Sequence, residues 1–163
     1  MDEFSSATAE EIFAAFPEWR AFARTEQAGD GSSFLVIEVA PPLEANVEHG
    51  LIIDTSNGEV TVGFDHYHSH FDRWVGDGEH FGTKAALQFV KQILEERVAV
   101  VSWWNNEQWC GSSHLEAGSS PQVPTWSSNY NRVRVRSWKG TFNTDTGAYP
   151  LHRANSFKPA APS

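Results

Sequence analysis

Apolar residues recur along this chain with two periods, and the switches between them mark out its elements. Ile12, Phe13, Phe16, Trp19, Phe22 and Ala23 fall three and four residues apart, the spacing that lines one face of a helix. Thr8 with Glu11 reads as a capping box opening that helix. Pro17 interrupts the run. It either kinks the helix or begins a second one, where its missing N–H is harmless. The Gly29-Asp30-Gly31-Ser32-Ser33 cluster ends the element. A second stripe, Ala86, Leu87, Val90, Ile93 and Leu94, predicts a helix over Thr83–Glu96.

Elsewhere the pattern is that of strands. Phe34–Val39 is apolar and β-branched and stops at Pro41-Pro42. Leu51–Ile53 and Glu59–Phe64 flank Asn57-Gly58, a strong hairpin signal because a type I′ turn needs positive φ at both central residues. Val98–Trp104 reads as a buried strand, turned by Asn105-Asn106-Glu107, with Gln108–Leu115 returning antiparallel to it. Gly118–Asn131 is rich in Ser, Pro and Asn and reads as a loop. In Arg132–Phe142, Val133 and Val135 alternate with Arg132, Arg134 and Arg136, as in a half-buried strand. The order of elements predicts the α+β class: a mostly antiparallel sheet of about six strands with two main helices packed on one face. Residues 1–149 are expected to form a single domain and 150–163 a flexible C-terminal tail.

Composition narrows the function. The chain has 163 residues, enough for one self-sufficient core. The net charge of −9 argues against nucleic acid as a ligand, since phosphate binding needs a basic footprint, and it suits a basic partner. Cys110 is the only cysteine, so no internal disulfide forms. The acidic start, Met1-Asp2-Glu3-Phe4, is unlike a secretory signal, and no apolar run approaches the roughly 20 residues of a membrane span. A cytoplasmic protein with no membrane partner is expected. The 7 Trp and 11 Phe supply core, and exposed tryptophans supply binding anchors.

The densest chemistry lies in Asp65-His66-Tyr67-His68-Ser69-His70-Phe71-Asp72. On one continuous strand, His66, His68 and His70 would share a face with Val60, Val62 and Phe64. The Asn57-Gly58 turn sets a register in which Ile53 faces Val62, Leu51 faces Phe64 and His49 faces His66. At about 3.4 Å per residue, His66 and His70 lie about 14 Å apart, too far to share one zinc ion on a straight strand. The feasible ligand set is His49, His66 and His68, with an open position for water. Asp65, Glu48 and Glu79 are the candidate general bases, and strand parity sends Asp65 to the opposite face. Without metal, the same segment becomes a binding groove lined by His66, Tyr67, His68 and His70.

Other signals are weaker. Trp103, Trp104 and Trp109 surround a polar turn and complete the binding-groove candidates; strand parity allows at most one of Trp103 and Trp104 on an exposed platform. Cys110 beside tryptophans reads as an inert thiol, and Ser112-Ser113-His114 lacks the geometry that defines a triad. The Arg132, Arg134, Arg136 stripe reads as a solvated face paired with carboxylates.

The run Gly50-Leu51-Ile52, then Gly58-Glu59-Val60-Thr61-Val62-Gly63-Phe64-Asp65-His66-Tyr67-His68-Ser69-His70-Phe71 resembles small bacterial proteins, some of them immunity proteins of polymorphic toxin systems. The likeness covers the middle third of the chain. It implies a small acidic inhibitor that occludes a basic toxin domain, and it carries over no site residues. The sequence thus favours a non-enzymatic protein-binding module with no cofactor. The alternatives are a metal-dependent hydrolase or lyase using zinc at a strand-borne His-x-His site, and a Trp-lined carbohydrate-binding module with two coplanar exposed rings.

Overall fold

A computed structural model of the chain describes residues 1–71, 82–122 and 129–147. The expected tail over 150–163, the general-base candidate Glu79 and the middle of the Gly118–Asn131 loop lie outside the described residues. The class is α+β, with antiparallel sheets and a few helices, as the patterning indicates. The strands form two sheets rather than one, of five and four strands.

The described residues divide into two compact units. The first takes them from Met1–Ala40, Gly50–Phe64 and His68–Lys91, and the second from Pro41–His49, Asp65–Tyr67 and Gln92–Ser163.

The first unit opens with α1 (Glu3–Ala15). Its cap is Asp2, whose side chain accepts the Ser5 N–H at 2.7 Å, so the helix starts before the predicted Thr8-Glu11 box. Thr8 is instead a buried residue within the helix. Pro17 begins a 3-10 helix over Pro17–Phe22, one of the two roles open to it. The chain then leaves helical geometry, and Ala23 belongs to β1 (Ala23–Gln27), paired with β2 (Ser33–Val39). The sheet continues through β3 (Leu51–Asp54), β4 (Val60–Phe64) and β5 (Tyr67–Phe71) in chain order.

The β3–β4 register is the expected one, with Ile53 opposite Val62 and Leu51 opposite Phe64. Asn57 at φ 60° and Gly58 at φ 72° supply the two positive dihedrals that a type I′ turn requires. Leu35, Ile37, Leu51, Ile53, Val60, Val62 and Phe64 are all fully buried.

In the second unit the sheet order is β7-β6-β8-β9, with β6 (Val98–Asn105), β7 (Gln108–Glu116), β8 (Arg132–Arg136) and β9 (Thr144–Gly147). Register shifts between Trp103 and Trp104: Trp103 faces Gly111 and Trp104 faces Trp109, which leaves Cys110 as the extra residue of a bulge. Strand β8 ends at Arg136, six residues earlier than its patterning suggested. A turn through Ser137–Phe142 follows, braced by Glu96. The second helix, α2 (Gly82–Leu94), belongs to the first unit through Lys91 and matches its predicted span to within two residues. No helix among the described residues is long and apolar enough to cross a membrane.

Candidate functional site

The histidine segment is not one strand. Strand β4 ends at Phe64, and Asp65-His66 turns the chain into β5, with Asp65 left-handed at φ 48°. Asp is among the few residues that tolerate this conformation. Two adjacent strands joined by two residues must be antiparallel, so β5 returns along β4. The contact of His70 Nδ1 with Thr61 Oγ1 at 3.1 Å fits that course. His66 therefore sits in the turn, and only His68 and His70 are borne by β5. The shared face expected for His66, His68 and His70 does not form. The strand-borne ligand set His49, His66 and His68 is corrected accordingly, because the turn takes His66 off the strand that carries His68.

His68 and His70 are both exposed, with ring centroids 5.0 Å apart. His70 Nδ1 also lies 2.8 Å from Glu59 Oε1. Tyr67, the first residue of β5, meets His114 Nδ1 through its hydroxyl at 3.0 Å.

The expected His49–His66 neighbourhood does form. Their rings meet edge-on with centroids 4.9 Å apart, and Asp65 N donates to His49 O at 3.1 Å. The third member is Glu48 rather than His68. Ligand-capable atoms of Glu48, His49 and His66 all lie within 4.8 Å of one another. His66 Nε2 is 2.8 Å from Glu48 Oε2, and Arg134 Nη1 donates to Glu48 Oε1. An ionised carboxylate only accepts, so Nε2 carries the proton in the pair with His66. The Arg134 guanidinium, chiefly, holds the Glu48 carboxyl below its ordinary range; partial burial opposes it and His66 adds to it.

The cluster is built on held backbone. Asp65 is buried and accepts the Glu48 N–H through Oδ1 at 3.0 Å, which ties the loop before β3 to the turn after β4. Ser112 Oγ donates to His66 O at 2.6 Å. The His66 ring stands edge-on to Trp104, centroids 4.7 Å apart, and Arg134 lies over the same indole with Cζ 5.3 Å from its centre. Trp104 is buried and donates its Nε1–H to Ser102 Oγ at 2.8 Å. Glu48 and His49 are exposed, so one side of the cluster is rigid protein and the other is solvent.

Strand β8 corrects a further expectation. Arg134 and Arg136 are buried at 6% and 5% exposure, not solvated. Arg136 is stripped of water, which pulls its pKa down, and the like charge of Arg134 adds to that; Asp65 and Asp145 offset part of it. Arg132 makes a two-pronged pair with Asp145, at 2.8 and 2.6 Å.

Both Trp103 and Trp104 are buried, so neither forms an exposed platform. Trp109 is different. It is 49% exposed, at the end of a hairpin tip over 105–109 in which every residue is exposed. The tip is nonetheless fixed: Asn106 N donates to Asn131 Oδ1 and Asn131 Nδ2 to Asn106 Oδ1, both at 2.8 Å. Cys110 Sγ contacts the Gln108 and Asn129 carbonyls and packs on the Val101, Trp103 and Val135 cluster, as an inert thiol does.

No protein-family model, no curated protein and no solved structure matches the chain.

Proposed function

We propose that the chain is a non-enzymatic protein-binding module of the immunity type, which acts by covering a partner's functional surface. The observation that carries the reading is Trp109, half exposed on an immobilised hairpin tip, next but one to Glu107, whose side chain is 92% exposed. Tryptophan is the residue most enriched at binding hot spots, and a tip already fixed by Asn131 loses little freedom on docking. The net charge of −9 speaks for a basic partner such as a toxin domain, met in the cytoplasm, because complementary charge speeds encounter and sets specificity.

The test uses the product of the neighbouring gene: its affinity for this chain by calorimetry, and protection of a host cell that expresses it. Trp109→Ala is expected to weaken binding about 30-fold or more, the ~2 kcal/mol of a hot spot. Glu107→Lys is expected to slow association. Unchanged affinity and protection in the double variant would overturn the reading, as would absence of binding by the unmodified chain.

The Glu48, His49 and His66 cluster favours a second reading, a metal-dependent hydrolase or lyase, since two imidazoles and a carboxylate with an open side are the ligand type of catalytic zinc. A carbohydrate-binding module has only Trp109 in its support, the one exposed ring among the described tryptophans.

A further inference from the structure

We propose that Glu48, His49 and His66 bind one divalent transition-metal ion of the zinc class, with a coordination position left open to solvent. This site underlies the second reading above and is independent of the hairpin reading.

The donor set comes first. Two imidazole nitrogens and one carboxylate oxygen suit a borderline cation such as zinc and are a poor match for calcium or magnesium, which take oxygen cages. Distance comes next. Zinc ligands at 2.0–2.1 Å in tetrahedral array stand about 3.3 Å from one another. The three donors span at most 4.8 Å, and the Glu48–His66 pair stands at 2.8 Å. A slight opening of that pair and a side-chain adjustment of the exposed His49 bring all three to ligand spacing without moving backbone. The ion takes the place of the proton that His66 Nε2 directs at Glu48 Oε2, and the ring carries its proton on Nδ1 instead, so it stays a neutral ligand with no net proton released.

The surroundings both help and oppose. Arg134 engages only Oε1 of Glu48, which orients the carboxylate and leaves Oε2 to the site, as outer-shell groups do around metal ligands. Trp104 and Ser112 fix the His66 ring and its backbone. Asp65 holds the Glu48 N–H and donates its own N–H to His49 O, so two ligands share one brace. The cost is the guanidinium charge beside a cation. Arg134 is itself neutralised by Glu48 and faces the indole of Trp104, which spreads part of that charge away from the site.

The test uses the chain purified without an affinity tag, freed of metal with a chelator and titrated with zinc sulfate. One equivalent of zinc with a raised melting temperature is expected, since an ion that binds only the folded state stabilises it. His49→Ala and His66→Ala should each weaken binding at least tenfold. His68→Ala and Trp109→Ala should leave stoichiometry and affinity unchanged. Less than about a tenth of an equivalent bound, with no gain in melting temperature, overturns the site. Binding that survives His49→Ala with Glu48→Gln, or that is lost in His68→Ala, overturns the ligand assignment. His49 and Glu48 are exposed, so these variants keep the test decisive even if His66→Ala fails to fold.

Discussion

The two units bury different chemistry. Among the described residues, the buried polar groups of the first unit are all hydroxyls, Ser5, Thr8 and Thr55, while the second unit buries the charged Asp65, Glu96, Arg134 and Arg136 beside the hydroxyls of Ser102 and Ser137. The hydroxyls of the first unit do local work. Ser5 Oγ meets Thr55 Oγ1 at 2.6 Å, and Thr55 Oγ1 also accepts the Leu35 N–H at 2.9 Å. In the second unit, ionised side chains hold loops in place. An apolar core gains stability from burial alone, but buried charge repays its desolvation only through good partners. The first arrangement serves stability. The second fixes a defined geometry, and both candidate surfaces, the cluster at His66 and the tip at Trp109, belong to the unit that has it.

The largest effect is expected in the apolar unit. Phe64 is 1% exposed, at the end of β4 opposite Leu51. Phe64→Ala should cost about 3–5 kcal/mol, through lost transfer energy and the cavity left behind. Urea unfolding followed by circular dichroism measures it. A loss under about 1 kcal/mol would mean that the first unit's stability does not rest on this packing, and the contrast would fail.

Glu96 gives the charged unit its own test. It accepts four bonds from the turn after β8: Ser137 Oγ at 2.6 Å, Lys139 N at 2.9 Å, Thr141 N at 3.2 Å and Thr141 Oγ1 at 2.6 Å. Burial is the largest single influence and pushes its pKa up, yet these bonds together outweigh it and leave the carboxyl below its ordinary value of 4.5. A depressed folded-state pKa means that the unfolded chain binds more protons through that window. The stabilisation is therefore full above pH 4.5 and is lost as pH falls through the lower, folded value. Glu96→Gln should cost about 1.5–3 kcal/mol at neutral pH, the range for hydrogen bonds to a charged group. It should also flatten the acid limb of the stability profile. An acid limb as steep as the original would show that other carboxylates govern it.

The same contrast explains what could be read from the chain. In β3 and β4, burial and period agree, and Asn57-Gly58 has a single strong reading, so the register was legible to the residue. The turn at Asp65-His66 was not. It carries no glycine, and Tyr67–Phe71 resumes alternation at once, so the segment imitates one long strand. The available signal was Asp65, one of the residues that enter the left-handed region. Strand β9, Thr144-Asp145-Thr146-Gly147, has no apolar residue and left no trace in the pattern. Arg134 and Arg136 alternate with valines as solvent-facing residues would, and their burial is made tolerable by distant partners: Glu48 for Arg134, and Asp145 with the Val135 and Thr144 carbonyls for Arg136. Glu48 was named as a base candidate, and its place between His66 and Arg134 depends on a loop with no periodicity. Charge pairing across distant segments has no period to detect.

The smallest expected effect concerns that pair. Arg134 has a side chain 8% exposed, but its partner Glu48 is 49% exposed. Coulomb attraction is weakened wherever one partner is wet, so the pair should behave more like a surface bridge than a buried one. A double-mutant cycle of Arg134→Met and Glu48→Gln should give a coupling of about 0.5–1 kcal/mol, well under the 3–5 kcal/mol lost when a fully buried pair is broken. Raising salt should shrink it further. A coupling of about 3 kcal/mol or more would place Glu48 with the buried charges of its unit, held too firmly for Oε2 to open from His66 to ligand spacing. A small coupling leaves the carboxylate bound closely enough to be oriented and loosely enough to turn one oxygen toward an incoming cation, which is what the site at His49 and His66 requires.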